Sequence, residues 1–324
     1  MNIAIIGAGL IGKKRALLLS KSVKLSVICD VNKDRGEAFA KEFSCTYVSD
    51  ADTIFQDTTI DTVFIATTHN WLAPLAIKAI KAGKHVFLEK PGGKNVDDIK
   101  KVIAAHKKNP VVISLGYNHR YHPAFLQAKK IIDSKKYGDI LFIRAKYGHG
   151  GRIGYEKEWR FQKDISGGGE LIDQGPHLID LVQYFIGPTD EVKSFTHTFF
   201  WDTSEEDTAF FMLRNKRNQI AHLSVSCVEW KNIFVFEIML KKAKIQIDGL
   251  GGSYGKEKLT LYKMKSELGP PDVEVFDFDP IDRSWEYEMN LFFDRIQKKD
   301  YSSDPLIEGK RVLEVIQTIY KENP

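Results

Sequence analysis

Over roughly the first 115 residues, five short and mostly apolar runs alternate with segments of helical period, and no other feature of the chain narrows its fold as far. The apolar runs are "NIAIIG", "KLSVICD", "TVFIATT", "HVFLEK" and "VVISLGY"; between them stand "KKRALLLSK", "RGEAFAKEF", "LAPLAIKAIKAG" and "VDDIKKVIAAHKK". A strand without a polar face must be covered on both sides, and a helix between successive strands does that. The pattern predicts a doubly wound, parallel α/β sheet.

"GAGLIG" joins the first run to the first helix. Gly7, Gly9 and Gly12 form a G-x-G-x-x-G, with Leu10 and Ile11 at its variable positions. A tight turn, a close backbone approach and a helix–strand contact each require a bare residue there. The free N–H groups of the following helix would hold a dinucleotide pyrophosphate. The second run ends at Asp30, where an acidic residue hydrogen-bonds the adenosine ribose. A carboxylate about 4 Å from a 2′-phosphate costs about 1 to 4 kcal/mol, which favours NAD. Lys33 and Arg35 soften that preference and keep NADP as the alternative.

After Tyr121 the runs lengthen and alternate: "DILFIRAKYGHG", "EVKSFTHTFF", "TAFFMLRN", "QIAHLSVSCVEW", "IFVFEIMLKKAKIQIDG" and "KLTLYKMK". Period-two alternation predicts an open, largely antiparallel sheet in an α+β domain, one face packed and the other available. The expected domains are residues 1–119, for the cofactor, and 120–324, for the substrate. Two amphipathic helices, "SWEYEMNLFFDRIQKK" and "EGKRVLEVIQTIYKE", close the chain, and either could pack back on the first domain.

Composition excludes several classes. No apolar stretch approaches the roughly 20 residues of a membrane span, and "MNIAIIG" enters a strand without the pattern of a signal peptide, so a cytoplasmic protein is expected. A net charge of +4 without a Lys/Arg block argues against nucleic acid. Cys29, Cys45 and Cys227 are scattered and odd in number, which suits neither a disulfide framework nor a metal site. One local excess of bases, among them Arg120, Arg144, Lys146, Arg152, Lys157 and Arg160, is either solvated surface or a funnel for an anionic ligand.

In "GGGELIDQGPHLID", Asp173 and His177 stand four residues apart, one helical turn. Pro176 cannot donate a helical hydrogen bond, so the helix is expected to start at or just before Gly175, with Asp173 near its N-cap. Gly167 to Gly169 either admit a substrate closely or form a flexible turn. With "GAGLIG" and "ATTHNWLAPLAIKAIKAGKHVFLEKPGG" in this order, the chain resembles the glucose-fructose oxidoreductase, inositol dehydrogenase and MocA family over essentially its whole length. Ala82–Pro91 matches the family's AGKHVFxEKP run and Gly167–Asp180 its GGGxLxDxGxHxxD run.

The resemblance implies a Rossmann domain followed by an open-sheet domain, NAD or NADP between them, a sugar or polyol substrate, and dimers or tetramers formed through the open sheet. It carries Lys90, which follows the fourth expected parallel strand, to the family's catalytic lysine, and Asp173 and His177 to its catalytic aspartate and histidine. Thr67, His69 and Glu89 correspond to positions lining the nicotinamide and its ribose. Asn118 and Arg120, in the hinge "GYNHRYHP", would approach cofactor or substrate, and Trp159 and Arg160 match a pair that reaches the cofactor from the second domain.

Hydride transfer from a carbinol needs a base at the hydroxyl, and the imidazole of His177 suits that role. Lys90 would donate to the same oxygen, and Asp173 would orient the ring. His149, Tyr147 and His222 are explained equally well by alternation in a sheet and stay outside the catalytic set. Two other functions remain open: an NAD-dependent glycosidase working by transient oxidation, as in some relatives, and a regulator that senses the cofactor without chemistry.

Overall fold

The computed structural model describes residues 1–19 and 23–323, in two compact units. The first comprises Met1–Tyr117, Asp164–Gly167 and Trp285–Leu313; the second comprises Asn118–Lys163, Gly168–Ser284 and Glu314–Pro324.

The first unit is built on six parallel strands: β1 (Ile3–Ile6), β2 (Leu25–Cys29), β3 (Thr46–Val48), β4 (Thr62–Ile65), β5 (His85–Glu89) and β6 (Ile113–Gly116). Their order is β3-β2-β1-β4-β5-β6, the doubly wound arrangement the alternation predicts. Helices α1 (Leu10–Leu19), α2 (Lys33–Phe43), α3 (Asp52–Gln56), α4 (His69–Lys81) and α5 (Val96–Lys108) connect them. Strand order reverses between β1 and β4, where this fold opens a crevice at the carboxyl ends of the strands. The three-residue β3 has no apolar run of its own, so Lys90 follows the fifth strand and not the fourth. The first expected helical run ends on Ser20 and Lys21, which lie outside the described residues.

Phe64 and Phe87 stack at 5.1 Å in this core, and Phe292 of α9 (Ser284–Gln297) meets both rings edge-on. A single arginine lies fully buried among them. Arg15 of α1 donates from Nε to Glu89 Oε1 and from Nη2 to Glu288 Oε2, both at 2.7 Å. Its guanidinium lies over Phe87 and Trp285. The residue before Lys90 is thus tied to the helix that follows the glycine turn.

The second unit carries eight strands: β7 (Ile140–Gly148), β8 (Glu191–His197), β9 (Thr208–Arg214), β10 (Ile220–Ser226), β11 (Ile233–Leu240), β12 (Ala243–Asp248), β13 (Lys258–Lys263) and β14 (Asp272–Asp277). They form one sheet in the order β14-β13-β12-β11-β7-β10-β9-β8. Only the β7–β10 pairing is parallel, so the largely antiparallel expectation holds. The long run from Ile233 divides into β11 and β12, and the acidic alternation of "DVEVFD" supplies an edge strand that the sequence reading did not include. Helices α6 (Pro123–Asp133) and α8 (Glu170–Ile186) belong to this unit, while α7 (Lys163–Ser166) and α10 (Asp304–Glu322) contribute to both. Among the described residues, no helix is long and apolar enough to cross a membrane.

The start of α8 corrects the expectation drawn from Pro176. The helix begins at Glu170, and the proline is its seventh residue. A helix buried this early needs partners for its first N–H groups, and Glu206 provides them. Its carboxylate accepts from Gly169 N at 3.1 Å and Leu171 N at 2.9 Å, while its backbone carbonyl accepts from Glu170 N. Tyr320 Oη donates to the same carboxylate at 2.9 Å. A Cβ on Gly168 would stand 2.0 Å from Tyr320 Oη, and one on Gly169 would stand 2.1 Å from Glu206 O. Gly168 and Gly169 are therefore bare to admit these partners. With the helix running from Glu170, Asp173 is fully helical and lies one turn before His177.

Burial pushes the Glu206 carboxyl up to about 7, against the opposing donors of Tyr320, Leu171 and Gly169. An unfolded Glu titrates near about 4.3. This group therefore adds stability that is complete below that value and is lost as pH rises through the folded one. Urea unfolding between pH 5 and 8 should show stability falling with pH by at most about 1.4 kcal/mol per pH unit from this residue. The contribution should vanish in Glu206→Gln; an unchanged slope would place its source elsewhere.

Candidate functional site

The glycine turn of the first unit separates two kinds of requirement. A Cβ on Gly7 would meet Ala66 O at 2.3 Å, and one on Gly12 would meet Gly7 O at 1.9 Å, so the fold itself demands both glycines. A Cβ on Gly9 would meet nothing within 4 Å. The bareness of Gly9 serves no internal contact and leaves room for a ligand. Beside it, Leu10 is 72% exposed at the start of α1, and Ile11 is half-buried. These residues fit a dinucleotide whose pyrophosphate lies over the first turn of α1.

Asp30 follows β2 and is nearly buried. Its Oδ2 accepts from Ala8 N at 2.7 Å and Arg35 Nε at 3.0 Å; its Oδ1 accepts from Asn32 N at 2.8 Å and Arg35 Nη2 at 2.7 Å. Burial raises this carboxyl, but the Arg35, Asn32 and Ala8 donors outweigh it and hold the group below the usual range. A carboxylate offers about four acceptor positions, and all of these are engaged. Thr67 follows β4, His69 opens α4 with Nδ1 2.8 Å from Ser166 O, and Lys90 follows β5 directly after the Arg15-bound Glu89.

In the second unit, α8 presents Glu170, Asp173 and His177 at i, i+3 and i+7, on one stripe. Each faces a different partner. His149 Nδ1 accepts from Gly151 N at 3.0 Å, which puts its proton on Nε2, 3.5 Å from Glu170 Oε1. Burial lowers the His149 pKa, against the opposing pull of Asp173. Arg160 Nε donates to Asp173 Oδ2 at 2.9 Å and its Nη1 to Glu158, while its guanidinium lies over Trp159. The His119 ring stacks on His177 with centroids 3.8 Å apart. Tyr147 and Tyr254 lie alongside, and burial raises both phenols, Tyr254 to about 12. Both hydroxyls therefore stay protonated near neutral pH.

Two family models match this chain. One, described as an oxidoreductase family with an NAD-binding Rossmann fold, covers residues 1–117; the other, the GFO/IDH/MocA C-terminal domain, covers residues 125–246. The chain belongs to the GFO/IDH/MocA oxidoreductases, and its first unit is their NAD-binding Rossmann domain. Levoglucosan dehydrogenase of Pseudarthrobacter phenanthrenivorans is 31% identical over 212 residues, 61% of this chain and 54% of that protein, so the match spans about half the relative's length. A 2,7-anhydro-N-acetylneuraminate hydratase of Escherichia coli is 27% identical over 76% of this chain and 68% of its own. A solved levoglucosan dehydrogenase in complex with NADH shares the fold, with a TM-score of 0.89, 24% identity and coverage of 100% of this chain and 98% of its own.

Sequence reasoning passed over several groups around this family's motifs. Tyr147 and His149, set aside as ordinary sheet residues, border the α8 stripe, whereas His222 is exposed. Glu170 was legible from its spacing to Asp173 and His177 once the helix start was known. His119 and Tyr254 left no periodic signal. Asn118 is buried, donating from Nδ2 to Ser284 Oγ and facing His119 through Oδ1.

Because Arg35 fills two acceptor positions of Asp30, ribose hydroxyls compete with it. Asp30→Ala is expected to move the NAD to NADP affinity ratio toward NADP by about five-fold to several hundred-fold, the range of a repulsion of about 1 to 4 kcal/mol. Arg35→Ala should move it the other way. Titration of both nucleotides by intrinsic fluorescence measures the ratio, and no change in Asp30→Ala would remove this residue from ribose recognition.

Proposed function

We propose that this protein is an NAD-dependent dehydrogenase or reductase acting on a carbinol or keto carbon of a sugar, a cyclitol or a derivative of either. The observation that carries the reading is the α8 stripe, which holds a carboxylate and an imidazole one turn apart beside two phenols that remain protonated. Gly7, Gly9, Leu10, Ile11, Gly12 and Asp30 would hold the dinucleotide, with Thr67, His69, Glu89, Asn118, Trp159 and Arg160 as the remaining expected contacts. When bound, NAD supplies the hydride acceptor.

The chain's own residues manage one proton. His177 takes the proton of the carbinol oxygen, Lys90 donates a hydrogen bond to that oxygen as negative charge develops, and Asp173 favours the imidazolium that results. Arg160 is the residue that fixes Asp173.

The basic segment gives less support to an anionic substrate than its composition suggested. Arg120 pairs with Asp180, Arg144 with Glu237, Arg152 with Glu158, and Arg160 with Asp173 and Glu158. Its arginines meet carboxylates within the unit, and a neutral polyol fits better than an anion. The relatives named for levoglucosan and for 2,7-anhydro-N-acetylneuraminate make anhydro-sugars the first compounds to try. The three free cysteines suit a reducing cytoplasm.

Assembly through the open sheet is part of the same reading. On the face of β8 and β9 away from α8, Phe195, Phe210 and Met212 are 79%, 47% and 48% exposed, an apolar strip suited to a second copy. Light scattering should give a dimer or tetramer that Phe195→Asp with Phe210→Asp reduces to a monomer; an unchanged mass would remove this face from the interface.

The decisive assay follows absorbance at 340 nm with NAD and a panel of levoglucosan, myo-inositol and common hexoses. Reduced cofactor should accumulate in proportion to product. Lys90→Met and His177→Ala should each keep NAD binding and lose turnover by at least about 10²-fold, the lower end of a general-acid/base contribution. Near-normal rates in either variant would take that residue out of the mechanism.

A further inference from the structure

His119 is absent from every set of expected site residues, yet its ring stacks directly on that of His177. The two planes are 20° apart with centroids 3.8 Å apart, and each residue is 6% exposed. Tyr147 is tilted against His119, with centroids 5.4 Å apart, and meets His177 edge-on at 6.2 Å. An imidazole in such a stack cannot turn about its outer torsion without colliding with the platform.

The platform is itself fixed by a chain of hydrogen bonds with a readable direction. Ser284 is fully buried, and its Oγ donates to Asp282 Oδ1 at 2.6 Å. The lone pairs of Ser284 then accept from Asn118 Nδ2 at 2.8 Å. That contact fixes the orientation of the Asn118 amide and turns its Oδ1 toward His119 Nδ1 at 3.2 Å. The acceptor places the proton of His119 on Nδ1. Each member sets the orientation of the next, from Asp282 to the plane of the ring under His177. His122 stands at the far side of His119, with ring centroids 5.6 Å apart, and is held by Glu257 at 2.9 Å.

We infer that His119 is a positioning residue: its flat, buried ring, oriented through Asn118 and Ser284, sets the plane in which His177 meets the substrate oxygen. The inference rests on the reading of His177 as the base. It requires of His119 a planar face and no proton of its own, so a phenylalanine can replace it and an alanine cannot. Misplacement of a reacting group by about 1 Å can cost about 10²-fold in rate, and only turnover should respond, because the role assigned to His119 is to orient His177 and not to touch substrate.

The test uses the full-length protein with saturating NAD and the panel sugar that gives the highest rate. His119→Ala should lower kcat by about 10- to 100-fold with KM within about two-fold, and His119→Phe should recover kcat to within about three-fold of the parent. A substrate-independent measurement accompanies it. The carbon-bound ring protons of His177 should be shifted upfield by the stacked ring in the parent and in His119→Phe, and should return toward ordinary positions in His119→Ala. Full activity in His119→Ala, or an equal loss in both variants, would overturn the inference. His177→Ala separates the two failures. If it loses turnover while His119→Ala does not, only the positioning role fails; if it retains turnover, the base assignment and the positioning role fall together.

Discussion

The polar stripe of the second unit depends on how one helix begins. Buried on nearly every side, α8 cannot leave its first N–H groups to water, and an uncapped start there would cost the desolvation of each. The Glu206 carboxylate, drawn from the loop before β9, satisfies that turn and accepts from Tyr320 as well. Six residues of helix therefore precede Pro176, and the three polar groups on its stripe acquire a common direction. A helix starting at the proline would have put Glu170 and Asp173 in irregular chain, with no fixed relation to His177.

The first unit shows a comparable device. Arg15 lies between two carboxylates in a site almost closed to water, where an unpaired charge would be strongly unfavourable. Its aromatic neighbours Phe87 and Trp285 accept the guanidinium faces, which an ammonium on a flexible stem would not match. The contact links α1, which begins at the glycine turn, to the end of β5, which leads to Lys90. Any displacement of the cofactor loop is thus coupled to the residue before the proposed hydrogen-bond donor.

Local periodicity made much of the fold legible. The five longer parallel strands, the glycine turn and the antiparallel character of the second sheet were all readable, because burial on one face or two leaves a mark on every second or every third to fourth residue. The three residues of β3 and the acidic β14 were too short or too polar to leave it. The helix start was misread for a different reason. Proline is a local signal, whereas its remedy, Glu206, lies thirty-six residues after Glu170 and carries no motif. Likewise, Lys90, Asp173 and His177 are candidates that spacing and resemblance single out, but His119, Arg15 and Tyr254 owe their places to contacts between elements, which leave no local pattern.

Charge pairing in the second unit also bears on what it can recognise. Asp173 and Glu158 are matched by Arg160 and Arg152, while Glu170 faces a His149 ring that is neutral, so the stripe carries no excess of positive charge. An anion brought against such pairs would have to displace a carboxylate from an arginine already bound to it, exchanging one charge-assisted contact for another with little net gain. A hydroxyl asks for no such exchange. It can exchange hydrogen bonds with the fixed polar groups of the stripe and with a phenol that stays protonated, and sites built from such groups discriminate strongly against analogues lacking the hydroxyl. The arrangement therefore supports the proposed reading of a substrate rich in hydroxyls and poor in charge.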